Sequence, residues 1–147
     1  DLNFFCKEFF SGCLTKNQGL VNHKRQTTNL RLMANYNLED RTLEFVKATR
    51  VFVKKLPRCT SNFEDGKQLI RSSGSIGANY IEANEALSKK DFKMRMKISR
   101  KEAKETCYWL KLVDNCNDGH LEKERSNLLD EATQLLKIMS SIILKAT

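Results

Sequence analysis

Eight cations fall within residues 89–104: Lys89, Lys90, Lys93, Arg95, Lys97, Arg100, Lys101 and Lys104, against the two acids Asp91 and Glu102. At the helical turn of 100° per residue, Lys90, Lys93, Lys97, Arg100, Lys101 and Lys104 share one face. A solvated helix surface gains stability by setting Glu against Lys at i,i+4, whereas like charges at that spacing repel. This face is not interleaved in that way, which favours a polyanionic partner. A row of cations that neutralises backbone phosphates releases counterions, and that release drives binding to nucleic acid. The plainer alternative is a solvated, lysine-rich helix back. No aromatic residue is interleaved among the six, so the expected contacts are to backbone phosphates and not stacked bases.

A second group could do acid–base chemistry. Ile98, Glu102, Glu105 and Trp109 recur at spacings of 4, 3 and 4, so they form one stripe of the same helix. Paired carboxylates are the usual equipment for general acid–base catalysis, but nothing in the sequence supplies a pocket or a reacting partner. Glu82 stands beside Tyr80 and Ile81, which predicts a partly buried acid, and it shares a helix face with Asn79. The reading taken is a structural polar network of Arg71, Ser75, Asn79, Glu82, Glu102 and Glu105, in a protein that is not an enzyme. Ile98 and Trp109 make the stripe too apolar for plain surface. They predict a further contact, with a neighbouring helix or another subunit.

Metal chemistry finds little support. Glutamates on helix bundles hold di-iron centres when two helices carry Glu-x-x-His, and neither His23 nor His120 is so placed. The five cysteines, Cys6, Cys13, Cys59, Cys107 and Cys116, contain no Cys-x-x-Cys pair. Zinc sites need clustered ligands, so no metal and no cofactor is expected. An odd number of scattered thiols fits a reducing compartment, here the cytoplasm.

The elements that must position these residues are helical. The chain of 147 residues has one proline, six glycines, 40% apolar and 30% charged residues, and a formal net charge of +8. Few breakers and such a composition favour long helices in one domain. No run of 18 apolar residues occurs, so no membrane-spanning helix is expected. Helices are predicted over about 38–56, 60–87, 88–114 and 120–145. Asn37 is a candidate N-cap for the first and Ser88 for the third, and Pro57 stops the first. The stretch 71–83 is rich in small residues (Ser72, Ser73, Gly74, Ser75, Gly77) yet keeps helical period. Glycines cost about 1 kcal/mol each in a helix interior. Their presence predicts either a neighbour in close approach or a bend, and a kink is placed at 72–77. The whole reads as an all-α, antiparallel up-down-up-down four-helix bundle with a kinked second helix.

Residues 1–35 are set apart as an N-terminal extension, and 36–147 as the bundle. The extension holds Phe4, Phe5, Phe9 and Phe10 and then a polar run, with no methionine before Met33. It reads as a leader or a product of start-site choice. The alternative is a short amphipathic segment whose phenylalanines dock on a partner.

Three ordered motifs carry a resemblance: Ser-Ile-Gly-Ala-Asn-Tyr-Ile-Glu-Ala at 75–83, Ser-Lys-Lys-Asp-Phe at 88–92 and Lys-Glu-Ala-Lys-Glu-Thr-Cys-Tyr-Trp-Leu at 101–110. From about Tyr36 to Thr147 the chain resembles the bacterial 23S rRNA intervening-sequence proteins. The family pattern falls on Arg71, Ser75, Asn79, Glu82, Phe92, Glu102, Glu105 and Trp109. The resemblance implies a four-helix bundle, a homopentamer and no enzyme activity. A related branch, the accessory protein of diversity-generating retroelements, implies a reverse transcriptase and nucleic acid as partners. Two functions therefore stand beside each other, an oligomeric nucleic-acid-binding protein and a protein-interaction adaptor such as an accessory subunit of a reverse transcriptase. Residues 1–32 have no counterpart in the family pattern.

Overall fold

The computed structural model describes residues 38–146, within the unit Leu38–Thr147. The N-terminal extension, the Asn37 cap and the possible start at Met33 lie outside the described residues. Four helices follow one another: α1 (Leu38–Lys55), α2 (Thr60–Asn84), α3 (Lys89–Leu112) and α4 (Gly119–Lys145). Among the described residues there is no strand.

Local chemistry sets the helix ends. Glu39 and Asp40 occupy the first turn of α1 and Lys54 and Lys55 the last, each charge opposing the helix dipole. Ser88 caps α3 by accepting from the Asp91 backbone N–H at 3.1 Å. Asp118 caps α4, accepting from His120 and Leu121. The cap of α2 is Cys59, whose sulfur accepts from the Asn62 N–H.

Short connections over 56–59, 85–88 and 113–118 make successive helices antiparallel, and side chains record the directions. Asn84 at the end of α2 donates to Glu39 at the start of α1, at 2.7 Å. Arg95 near the start of α3 pairs with Glu82 near the end of α2. Arg125 near the start of α4 donates to the Leu110 carbonyl near the end of α3. The α2–α3 contact is the most extensive, and α1 packs on α4 to close the bundle. The core is a continuous set that includes Phe45, Phe52, Leu69, Ile76, Met96, Leu110, Leu135 and Met139. Burying each such side chain contributes about 1.5–3 kcal/mol.

The small residues of α2 serve close approach. α2 remains one helix from Thr60 to Asn84, through Gly74 and Gly77. A Cβ on Gly77 would stand 2.8 Å from Thr42 Oγ1 of α1, and one on Gly66 would stand 3.0 Å from Val53 Cγ1. On the other side, Ser99 of α3 donates to the Ile76 carbonyl at 2.8 Å, and Thr106 to the Ser72 hydroxyl at 3.0 Å. Every one of these hydroxyls is buried and bonded, so the seam is tight without an unsatisfied polar atom.

Candidate nucleic-acid interface

α3 carries the candidate site because its three faces have three environments. Phe92, Met96, Ser99, Ala103, Thr106 and Leu110 are buried, as their spacing predicts. This fixes the rotation of the helix and therefore where the cations point. Lys90, Lys97, Arg100, Lys101 and Lys104 are exposed and Lys93 is half-buried. Among the described residues none of the six makes an ion pair. Arg95, which belongs to the same basic run but not to the stripe, behaves differently. It reaches across to Glu82 on α2 and lies 3.8 Å from Asp91 on its own helix. Glu82 and Asp91 are thus taken by Arg95, a cation outside the stripe.

The residues expected to form a network lie on two helices, Arg71, Ser75, Asn79 and Glu82 on α2 and Glu102 and Glu105 on α3, and the structure divides them. Asn79 Nδ2 donates to the Ser75 carbonyl at 2.9 Å, within α2. Glu82 pairs with Arg95. Glu105 accepts from Trp109 Nε1 at 3.2 Å. Arg71 is exposed and Glu102 half-buried. Burial raises the Glu102 pKa, the charge of Glu105 raises it further, and Lys101 and Arg71 pull it down. These are separate local pairs and no single network. The partly buried acid expected at position 82 is corrected as well. The Glu82 side chain is 52% exposed, because it and Ile81 lie on the outer edge of α2, where only a long side chain such as Arg95 reaches it.

Ile98 and Trp109 are half-buried, and Trp109 packs against the core. More open apolar surface lies beside them, at Ile81, Met94, Tyr108 and Leu112, which are 49%, 53%, 56% and 45% exposed. Tyr108 is the residue that the reading of the stripe left out. It follows Lys104 by four positions, so it continues the basic face, and its ring meets Trp109 edge-on at 5.1 Å. Lys111 is exposed and lies seven positions beyond Lys104 on that face. The same i+4 and i+7 count that grouped the cations would have found both. Among the described residues no group of three His, Cys, Asp or Glu side chains is placed to hold a metal ion. No helix there is long and apolar enough to cross a membrane.

The family model for the 23S rRNA-intervening sequence protein matches residues 35–141. The chain belongs to this family. A protein of unknown function from the S23 ribosomal protein family of Bacteroides thetaiotaomicron has a similar crystal structure, at 31% sequence identity and a TM-score of 0.60. The match covers 73% of this chain and 98% of that one. No curated protein matches the chain. The family match spans all three motifs, and with them both the basic stripe of α3 and the α2 flank.

Proposed function

We propose that the chain is a non-enzymatic, oligomeric protein that binds nucleic acid through the phosphate backbone. The observation that carries this reading is the row of Lys90, Lys93, Lys97, Arg100, Lys101 and Lys104 without an ion-pair partner among the described residues, while Arg95 takes the neighbouring acids. Lys111 lengthens the row. Phosphate contacts position a protein without reading bases, so binding should show little sequence preference. The stripe of Met94, Ile98, Trp109 and Leu112 on α3 is the contact between subunits in this reading. A ring of five is the assembly this reading takes. The free thiols of Cys59, Cys107 and Cys116 fit a reducing compartment, and a cytoplasmic location belongs to this reading.

The test is fluorescence anisotropy with labelled RNA and DNA over a salt series. Affinity should fall steeply with salt, with a log–log slope close to the number of phosphates neutralised. Lys97, Arg100 and Lys104 are exposed and make no ion pair among the described residues, so changing all three to Glu should abolish binding and keep the circular dichroism of the parent, Glu being a good helix former. If the folded triple variant binds as tightly as the parent, the stripe is a solvated surface and the adaptor function leads. Light scattering tests the assembly, and a monomer at tens of micromolar would remove it.

A further inference from the structure

Two aromatic side chains are exposed among the described residues, Phe63 and Tyr108, and their surroundings differ. Phe63 has the ammonium of Lys67 over its ring at 4.0 Å, and Lys67 is itself paired with Glu64. Tyr108 stands on the basic face of α3, with Lys104 four residues before it and Lys111 three residues after, both exposed. Those spacings set one cation about a turn to either side of the ring. Among the described residues neither lysine makes an ion pair. Trp109 braces the ring: the two centroids lie 5.1 Å apart at an interplanar angle of 75°, and Trp109 packs on the core. An edge-on pair covers at most one face of either ring. Tyr108 is 56% exposed, so a face is left for a planar group from outside.

We infer that the nucleic acid bound by this face is single-stranded, with one unpaired base stacked on Tyr108 and the phosphates flanking that base held by Lys104 and Lys111. This rests on the phosphate-binding reading of the α3 row and narrows its ligand. Inside a duplex each base is covered on both faces by its neighbours, so an aromatic ring finds no open face there without the cost of unstacking one. An unpaired base offers a face freely. Every base has one, so stacking adds affinity with little sequence preference. The shape of the row favours the same ligand. From Lys90 to Lys111 it runs for about 31 Å along one helix. A B-form strand turns almost once over that length, since a turn is about 34 Å, and part of its phosphates then face away from the row. A flexible single strand can follow the row from end to end.

The experiment is fluorescence anisotropy of the full chain at one fixed salt concentration, with three labelled probes of equal length: oligothymidylate, an abasic strand carrying the same phosphates, and a DNA duplex. Oligothymidylate should bind tighter than either, although the duplex has twice its phosphates. Tyr108→Ala should weaken oligothymidylate by ~5- to 150-fold, the range for loss of one stacked base, and leave the abasic strand and the duplex where they were. Its salt slope should match the parent's, because no phosphate contact is removed. Tyr108→Phe keeps the ring and should bind all three probes like the parent. Circular dichroism is the folding control, and Tyr108→Leu takes the place of the alanine variant if that one is poorly folded. Three results would overturn the assignment: an abasic strand or duplex that binds the parent as tightly as oligothymidylate, a folded variant without the ring that binds oligothymidylate like the parent, or one that loses affinity for all three probes alike. A parent that binds none of the three would instead remove the phosphate-binding reading, and the stacked base with it.

Discussion

α2 meets its neighbours through small residues, whereas α1 meets α4 through long charged ones. At α2 the contacts are Gly77 against Thr42, Gly66 against Val53, Ser99 on the Ile76 carbonyl and Thr106 on Ser72. At the α1–α4 seam, Arg41 grips Glu131 at 2.6 and 2.9 Å and Gln134 at 2.8 Å, and Lys55 holds Glu124 at 2.8 and 2.9 Å. The first kind of seam excludes water and tolerates no added volume. The second spans a wider gap and stays in contact with solvent, so each of its pairs contributes little. The difference locates the tightest packing along α2, on its α1 side at Gly66 and Gly77 and on its α3 side at Ile76 and Ser72.

The strongest way to break that comparison is Gly77→Val. The new side chain would meet Thr42, a stiff β-branched residue whose hydroxyl is engaged with the Glu39 carbonyl. Overpacking of this kind costs about 1–3 kcal/mol, read as a lower urea midpoint. Gly74 has nothing within 4 Å of an added Cβ, so Gly74→Ala should stabilise by about 0.4–1 kcal/mol. Equal effects at the two glycines would show that close approach is not what the sequence is written for. Next in size is Ser99→Ala, which removes the bond to the Ile76 carbonyl and should cost about 0.5–1.5 kcal/mol, measured in the same unfolding curves.

At the charged seam, Arg41→Ala should cost no more than about 1 kcal/mol, and the cost should shrink as sodium chloride is added. A loss larger than that of Ser99→Ala, and indifferent to salt, would reverse the ranking of the two seams. The smallest effect belongs to Glu102. Its folded pKa is raised, by burial first and then by Glu105. Its contribution is therefore complete below the unfolded carboxylate value and is lost as pH rises through the folded one. Glu102→Gln should melt slightly higher than the parent at neutral pH, and the gap should close in acid. A variant that melts lower at neutral pH would mean that Lys101 and Arg71 outweigh the burial.

Much of this was legible in the sequence where one helix determines the outcome. The buried stripe of α3 follows from spacing alone, since Phe92 through Leu110 recur at 3 and 4. Ser88 is the cap it resembles, and Pro57 follows the end of α1. The small residues of α2 called for either close approach or a bend, and the sequence reading placed a kink there; the close approach to Thr42 and Val53 depended on a neighbour it could not name. What depended on the partner helix was not legible. Arg95 was one of eight similar cations until its position opposite Glu82 separated it from the rest. No cap was assigned to α2 from the sequence; Cys59 takes that place, and Asn62 turns inward to Asp114. Arg41 and Glu131 are 90 residues apart, and charged residues at a helix flank carry no periodicity by which to match them.

The order of the seams along the chain also shapes how the bundle assembles and comes apart. α1 with α2, α2 with α3 and α3 with α4 are each joined by a short connection, so those contacts are local and form quickly. Only the α1–α4 seam waits for the ends of the bundle to meet, and closing so long a loop costs entropy before any contact rewards it. Arg41 and Lys55 then act after the rate-limiting barrier. Removing them should speed unfolding and leave the folding rate nearly unchanged. Detachment of α1 becomes the first fluctuation of the native protein, and its amides should exchange with solvent ahead of those of α3.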